Sequence, residues 1–69
     1  MNNKPTLRRN GAFIEFWLNG ACIWSVNLER ITTHQELAAC MVGLADDFDW
    51  FSSVQGGFER LVTQHLNRF

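Results

Sequence analysis

The sequence predicts an α+β domain: a three-stranded antiparallel β-meander followed by two α-helices (βββαα), the helices packed on one sheet face. Three observations carry this. Two Asn-Gly dipeptides, Asn10-Gly11 and Asn19-Gly20, punctuate a first half rich in aromatic and β-branched residues. A Thr-x-x-Glu signature, Thr33 to Glu36, opens a second half whose apolar residues recur at helical spacing. Strand-like and helix-like segments are also segregated along the chain, which implies helices laid on an antiparallel sheet rather than βαβ units.

Asn19-Gly20 is the strongest hairpin signal, because a type I′ turn requires positive φ at both central residues. It joins strands expected at 12–18 and 21–28. Asn10-Gly11 predicts a second hairpin, with 6–9 as an edge strand and Pro5, which lacks an amide donor, at its start. Two-residue loops at both dipeptides set an expected register. Leu18 then faces Ala21, Trp17 faces Cys22, Phe16 faces Ile23, Glu15 faces Trp24 and Phe13 faces Val26. On the other side Arg8 faces Phe13 and Leu7 faces Ile14. Alternation places Leu7, Ile14, Phe16, Leu18, Ala21 and Ile23 on one face. The opposite face receives Arg8, Phe13, Glu15, Trp17, Cys22, Trp24 and Val26, so both faces are largely apolar.

The first helix is expected over 33–45. Thr33 and Glu36 form its capping box, Thr32 and Gln35 an overlapping alternative, and Leu37, Cys40, Met41, Leu44 and Ala45 its inner stripe. A second helix is expected over 48–68, with acids at Asp47 to Asp49 favouring its first turn. Phe51, Val54, Phe58, Leu61 and His65 keep helical phase across Gly56-Gly57. That argues for one continuous helix, despite a cost of about 2 kcal/mol for two interior glycines. Two shorter helices broken there are the alternative. In a continuous helix, the missing side chain at Gly57 lets another element approach closely. The core is expected to unite Ile14, Phe16, Ile23, Leu37, Met41, Leu44, Phe58 and Leu61.

Residues 1–69 read as one small domain, with 1–5 as a flexible N-terminus. Hydrophobic residues make up 46% of the chain, more than one small core readily hides, while 19% are charged and the net charge is -1. This profile excludes a disordered chain and a strongly basic nucleic-acid binder. No apolar run approaches the roughly 20 residues that span a bilayer, and no secretory signal is visible. The expected location is cytoplasmic. Cys22 and Cys40 are too few for a disulfide scaffold and match no zinc spacing. They read as free, buried thiols, or as a single disulfide tying strand to helix.

Candidates for catalysis are sparse. His34 falls in a first helical turn, exposed, and His65 on the apolar side of the last helix. Cys40 sits mid-helix on the inward face, whereas a reactive thiolate favours a helix N-terminus or a neighbouring cation. There is no phosphate loop, nucleophile elbow or His-Glu-x-x-His pair. Asp46, Asp47 and Asp49 are interrupted by Phe48 and Trp50, with Phe51 following, and lack the spacing of a calcium loop. No enzyme activity, metal or cofactor is expected.

The double-sided apolar sheet is the informative feature. Either a helix or loop covers the Trp17/Trp24 face, or that face stays open and binds a partner, since exposed apolar patches mark interaction sites. The open version assigns partner binding to Trp17, Trp24, Phe13, Arg8 and Glu15, Trp and Arg being enriched at interface hot spots. The expected function is therefore a small non-enzymatic protein-binding module. Its size and type suit a phage or mobile-element inhibitor, of the anti-CRISPR or other anti-defence kind, that occludes a host protein's surface. One alternative is single-stranded nucleic-acid binding, with aromatic side chains as base platforms. The first 30 residues do carry a net +2 against -3 for the rest, but Glu15 sits among the aromatics and cations are few. A structural or regulatory homodimer is the other alternative. No membrane association is expected.

Overall fold

A computed structural model describes residues 4–67 of the protein. Three antiparallel strands, β1 (Thr6–Asn10), β2 (Phe13–Leu18) and β3 (Ala21–Asn27), form one sheet in the order β1-β2-β3. A 3-10 turn, Leu28–Arg30, leads to α1 (His34–Asp47) and α2 (Phe51–Leu66). The α+β meander with two helices is the architecture that the sequence predicts. Residues 1–3 of the expected flexible N-terminus, and residue 68 of the expected second helix, lie outside the described residues. Pro5, expected within the flexible N-terminus, is buried.

Asn19 and Gly20 take φ of 54° and 81°, the two positive values that a type I′ turn demands. The other turn differs from expectation. Its central residues are Gly11 and Ala12, with positive φ only at Gly11, 60°. Gly at the first central position suits a type II′ loop, the other turn that matches strand twist. The pairing therefore slides: Asn10 faces Phe13, Arg8 faces Glu15 and Leu7 faces Phe16, in place of Arg8 with Phe13 and Leu7 with Ile14. The slide is by two positions, so each residue of β1 keeps its expected face.

The β2–β3 pairing starts as expected, with Leu18 opposite Ala21 and Trp17 opposite Cys22. A β-bulge then intervenes. Phe16 pairs with Trp24 rather than Ile23, Glu15 with Ser25 rather than Trp24, Ile14 with Val26, and Phe13 with Asn27 rather than Val26. Ile23 is the extra residue, and it is 36% exposed rather than in the core. The physical reason lies in the second half of β3. Trp24, Val26 and Leu28 alternate with Ser25 and Asn27. Without a bulge, the two polar residues would point at the helices. One inserted residue reverses the alternation, so Val26 and Leu28 become buried. Full burial of each such side chain is worth about 1.5–3 kcal/mol, more than one disrupted ladder position costs.

α1 opens with the expected cap. Thr33 Oγ1 accepts from the Glu36 amide at 3.1 Å. The Glu36 carboxylate takes the Thr32 amide at 3.1 Å and the Thr32 hydroxyl at 2.6 Å. Both helix boundaries near the acid cluster move. α1 runs on to Asp47, and α2 begins at Phe51, so no acid occupies its first turn. Trp50 is its N-cap without a side-chain cap bond, and Ser53 Oγ donates instead to the Trp50 carbonyl at 2.6 Å. α2 is continuous through Gly56-Gly57.

The core gathers Ile14, Phe16 and Val26 from the sheet, with Leu28 and Ile31 from the connection. α1 contributes Leu37 and Leu44, and α2 contributes Phe51, Val54, Phe58, Val62 and Leu66. Met41 and Leu61, expected in the core, are half-buried against it. Phe16 is central. Its ring lies 5.7 Å from Phe58, stacked, and 6.3 Å from Phe51, edge-on.

Candidate functional site

Alternation from the observed pairs puts Thr6, Arg8 and Asn10 of β1 on the sheet face opposite Phe16. Phe13, Glu15 and Trp17 of β2 and Cys22, Ser25 and Asn27 of β3 share that face. The buried residues of both helices cluster with Ile14, Phe16 and Val26 on the other side. The face is thus left to its own side chains: Trp17 and Glu15 are half-buried and Phe13 is 44% exposed.

Its largest side chain is Trp17. The Arg8 guanidinium lies 4.5 Å from the centroid of the indole ring, a cation–π contact. The indole Nε1–H donates to Glu15 Oε1 at 3.0 Å. Arg8 and Glu15 are themselves cross-strand partners. A cation therefore holds the ring face and a carboxylate holds its N–H. At an exposed site the cation–π contact is worth about 0.5–1 kcal/mol. Together with the Glu15 bond it orders a large apolar ring. The slide at the Gly11-Ala12 turn creates this arrangement, because it sets Arg8 opposite Glu15 and diagonal to Trp17.

Four of the five expected site residues, Arg8, Phe13, Glu15 and Trp17, share this face. Trp24 does not. The bulge turns it to the helix side, where its ring lies 5.2 Å from Phe48 and remains 46% exposed. The expected Trp17/Trp24 pair is therefore not formed. In its place an aromatic ladder runs from Trp24 to Phe48, to Trp50 at 4.7 Å, and to Phe16 at 5.1 Å. Sequence reading missed this ladder. The usable signal was the density of aromatics between the helices, Phe48, Trp50 and Phe51, where a solvated turn has no use for three large rings.

A second feature is a groove of about 690 Å³ beside the outer edge of β3, lined by Phe13, Ser25, Val26, Ile31, Ala39 and Cys40, with Arg30 and Glu36 at its rim. The remaining polar candidates are dispersed. His34 is exposed at the start of α1, and Asp46, Asp47 and Asp49 are exposed. Both cysteines are free, and Cys22, expected to be buried, is exposed, its thiol 3.4 Å from the Trp24 carbonyl. Cys40 is half-buried, and that burial pushes its thiol up. Hydrogen bonds from Thr32 and Thr33 hold the Glu36 carboxyl below the usual carboxylate range, those from the Thr32 side chain and amide counting most. Among the described residues no three of His, Cys, Asp and Glu come together as a metal site, and no helix is long and apolar enough to cross a membrane. No protein-family model, curated protein or solved structure gives a significant match to the chain.

Proposed function

We propose that the protein is a non-catalytic binding module that docks a protein partner on the open sheet face, with Trp17 as anchor and Phe13 as a secondary apolar contact. One observation carries the reading: Trp17 is held in place by Arg8 on its ring and Glu15 on its N–H. Both charged groups are spent on orienting an aromatic side chain, as an interface anchor requires. A sheet face of this kind suits occlusion of a partner's surface, the mode of a small inhibitor. The nucleic-acid reading is weakened by Glu15 at the centre of the face and by the loss of Trp24 as a second platform.

The test compares the parent chain with Trp17→Ala. Affinity capture with mass spectrometry identifies the partner, and titration with the purified partner gives the affinity. The variant should bind about thirtyfold or more weakly, the loss of a hot-spot Trp of roughly 2 kcal/mol. It should melt far closer to the parent than a core variant does, because Trp17 is only half-buried. Equal affinity of parent and variant would overturn the reading. Affinity that falls steeply with salt would transfer it to nucleic acid.

A further inference from the structure

The two edges of the sheet differ in chemistry. β1 carries Arg8 and Arg9 and is preceded by Pro5. Charges and proline are ordinary devices that keep an edge strand from pairing. β3 has neither, and its one bulge, at Ile23, leaves Trp24–Asn27 regular. No charged residue or proline occurs from Ala21 to Leu28, and Ala21–Ser25 are all exposed. Among the described residues, three of the four exposed large hydrophobics, Phe13, Ile23 and Trp24, lie on β3 or on the groove beside it.

The backbone of this edge has a defined orientation. The Leu28 amide donates inward to the Ala12 carbonyl at 2.7 Å. Antiparallel alternation then turns Val26 toward β2 as well, and leaves the N–H and C=O of Ser25 and Asn27 pointing outward. These two residues lie beyond the bulge, in the regular part of the strand.

We infer that β3 pairs antiparallel with β3 of a second copy of this chain, about a two-fold axis at Val26. Ser25 of each copy then exchanges hydrogen bonds with Asn27 of the other, joining two three-stranded sheets into one of six strands. The absence of charge permits this occupant. A two-fold antiparallel pairing sets a strand against itself, so every charge meets a like charge near its mirror position. β3 is uncharged over its whole length and escapes this, whereas β1 would oppose arginines. The same register places Trp24 of one copy opposite Leu28 of the other, which stands between Asn27 and Arg30, two residues lining the groove with Ile31, Ala39 and Cys40. Each copy thereby offers a half-exposed indole and a groove with small side chains on its α1 wall, the self-complementarity an isologous interface needs. The pairing uses the strand edge and leaves Trp17 uncovered, while Phe13 borders both the open face and the groove.

Light scattering on size-fractionated protein, from low to high micromolar concentration, tests the inference. The parent should pass from monomer to dimer mass as concentration rises. Ala39→Arg fills the groove from an exposed helical position, and Ser25→Pro removes an outward amide. Each should weaken the dimer about thirtyfold or more, as loss of an interface anchor does. Trp17→Ala should dimerise as the parent does. A parent that stays monomeric throughout overturns the inference, as does undiminished dimerisation of Ala39→Arg. Loss of the dimer in Trp17→Ala also overturns it, by moving self-association to the open face. If Ser25→Pro does not fold, Ala39→Arg decides alone, since Ala39 is exposed on α1 and Arg is a good helix former.

Discussion

Gly57 of α2 sits directly against Leu7 of β1: a Cβ at Gly57 would lie 3.1 Å from Leu7 Cδ1, tighter than an ordinary van der Waals contact. Its neighbour Gly56 meets nothing within 4 Å. Two adjacent glycines in one helix thus have different reasons to be there, and the difference is measurable. Gly56→Ala should stabilise the protein by about 1 kcal/mol, the helix-propensity gain alone. Gly57→Ala should gain less, or lose, because Leu7 must shift. In a Leu7→Ala background the two substitutions should become equivalent. Urea denaturation of the five variants reads this directly, and a Gly57→Ala gain equal to that of Gly56→Ala in the parent would refute the contact.

Phe16 and Phe58 are both fully buried and stacked at 5.7 Å. Either one changed to Ala should cost about 3–5 kcal/mol, a large share of what holds so small a domain together. The double variant should cost less than the sum, since the two rings share one cavity. Denaturant midpoints matching the parent would show that the rings are misplaced.

Glu36 gives stability a pH dependence of known sign. Its carboxylate accepts from Thr32 Oγ1, the Thr32 amide and Thr33 Oγ1, and these bonds hold its pKa below the ordinary value. A pKa lowered in the folded state means that the contribution is complete above the unfolded-state pKa and is lost as pH falls through the folded one. Melting temperatures of the parent and Glu36→Gln should therefore differ at neutral pH and converge in acid. The gap is expected to be small, because the group is fully exposed. Thr33→Ala, which removes the N-cap itself, should cost about 1 kcal/mol across the range.

Ile23 is the residue the β3 bulge adds, and its removal should leave the flanking pairs in place. A chain lacking Ile23 retains Trp17 opposite Cys22 and Phe16 opposite Trp24, with the ladder now regular. Cross-strand nuclear Overhauser contacts between Phe16 and Trp24 should survive the deletion. Their replacement by contacts between Phe16 and Ser25 would show that a bulge persists without Ile23, so that burial of Val26 and Leu28 is not what creates it.

How far the sequence could be read is clearest along β3. The Asn19-Gly20 turn was legible because positive φ is a local demand that only certain residues meet, and it fixed Trp17 opposite Cys22. The bulge four residues later carries no Gly, Pro or other local marker. It exists because Trp24, Val26 and Leu28 fall out of phase with the turn, and the burial of Val26 and Leu28 outweighs a regular ladder. That conflict of phases was present in the sequence, but deciding it required knowing which face the helices cover. Trp24 was misplaced for this reason, and four of the five site residues, all upstream of the bulge, were not.

The sequence by itself determined what depends on near neighbours: three strands then two helices, the I′ turn, the Thr33–Glu36 cap, and an α2 unbroken at Gly56-Gly57. Tertiary structure alone decided the bulge at Ile23 and the ladder from Trp24 to Phe16. The physical reason is one of range. Turn and cap preferences act over two to four residues and are written in residue type. Register and facing are set by burial against elements thirty or more residues away, as Leu7 meeting Gly57 and Phe16 meeting Phe58 show.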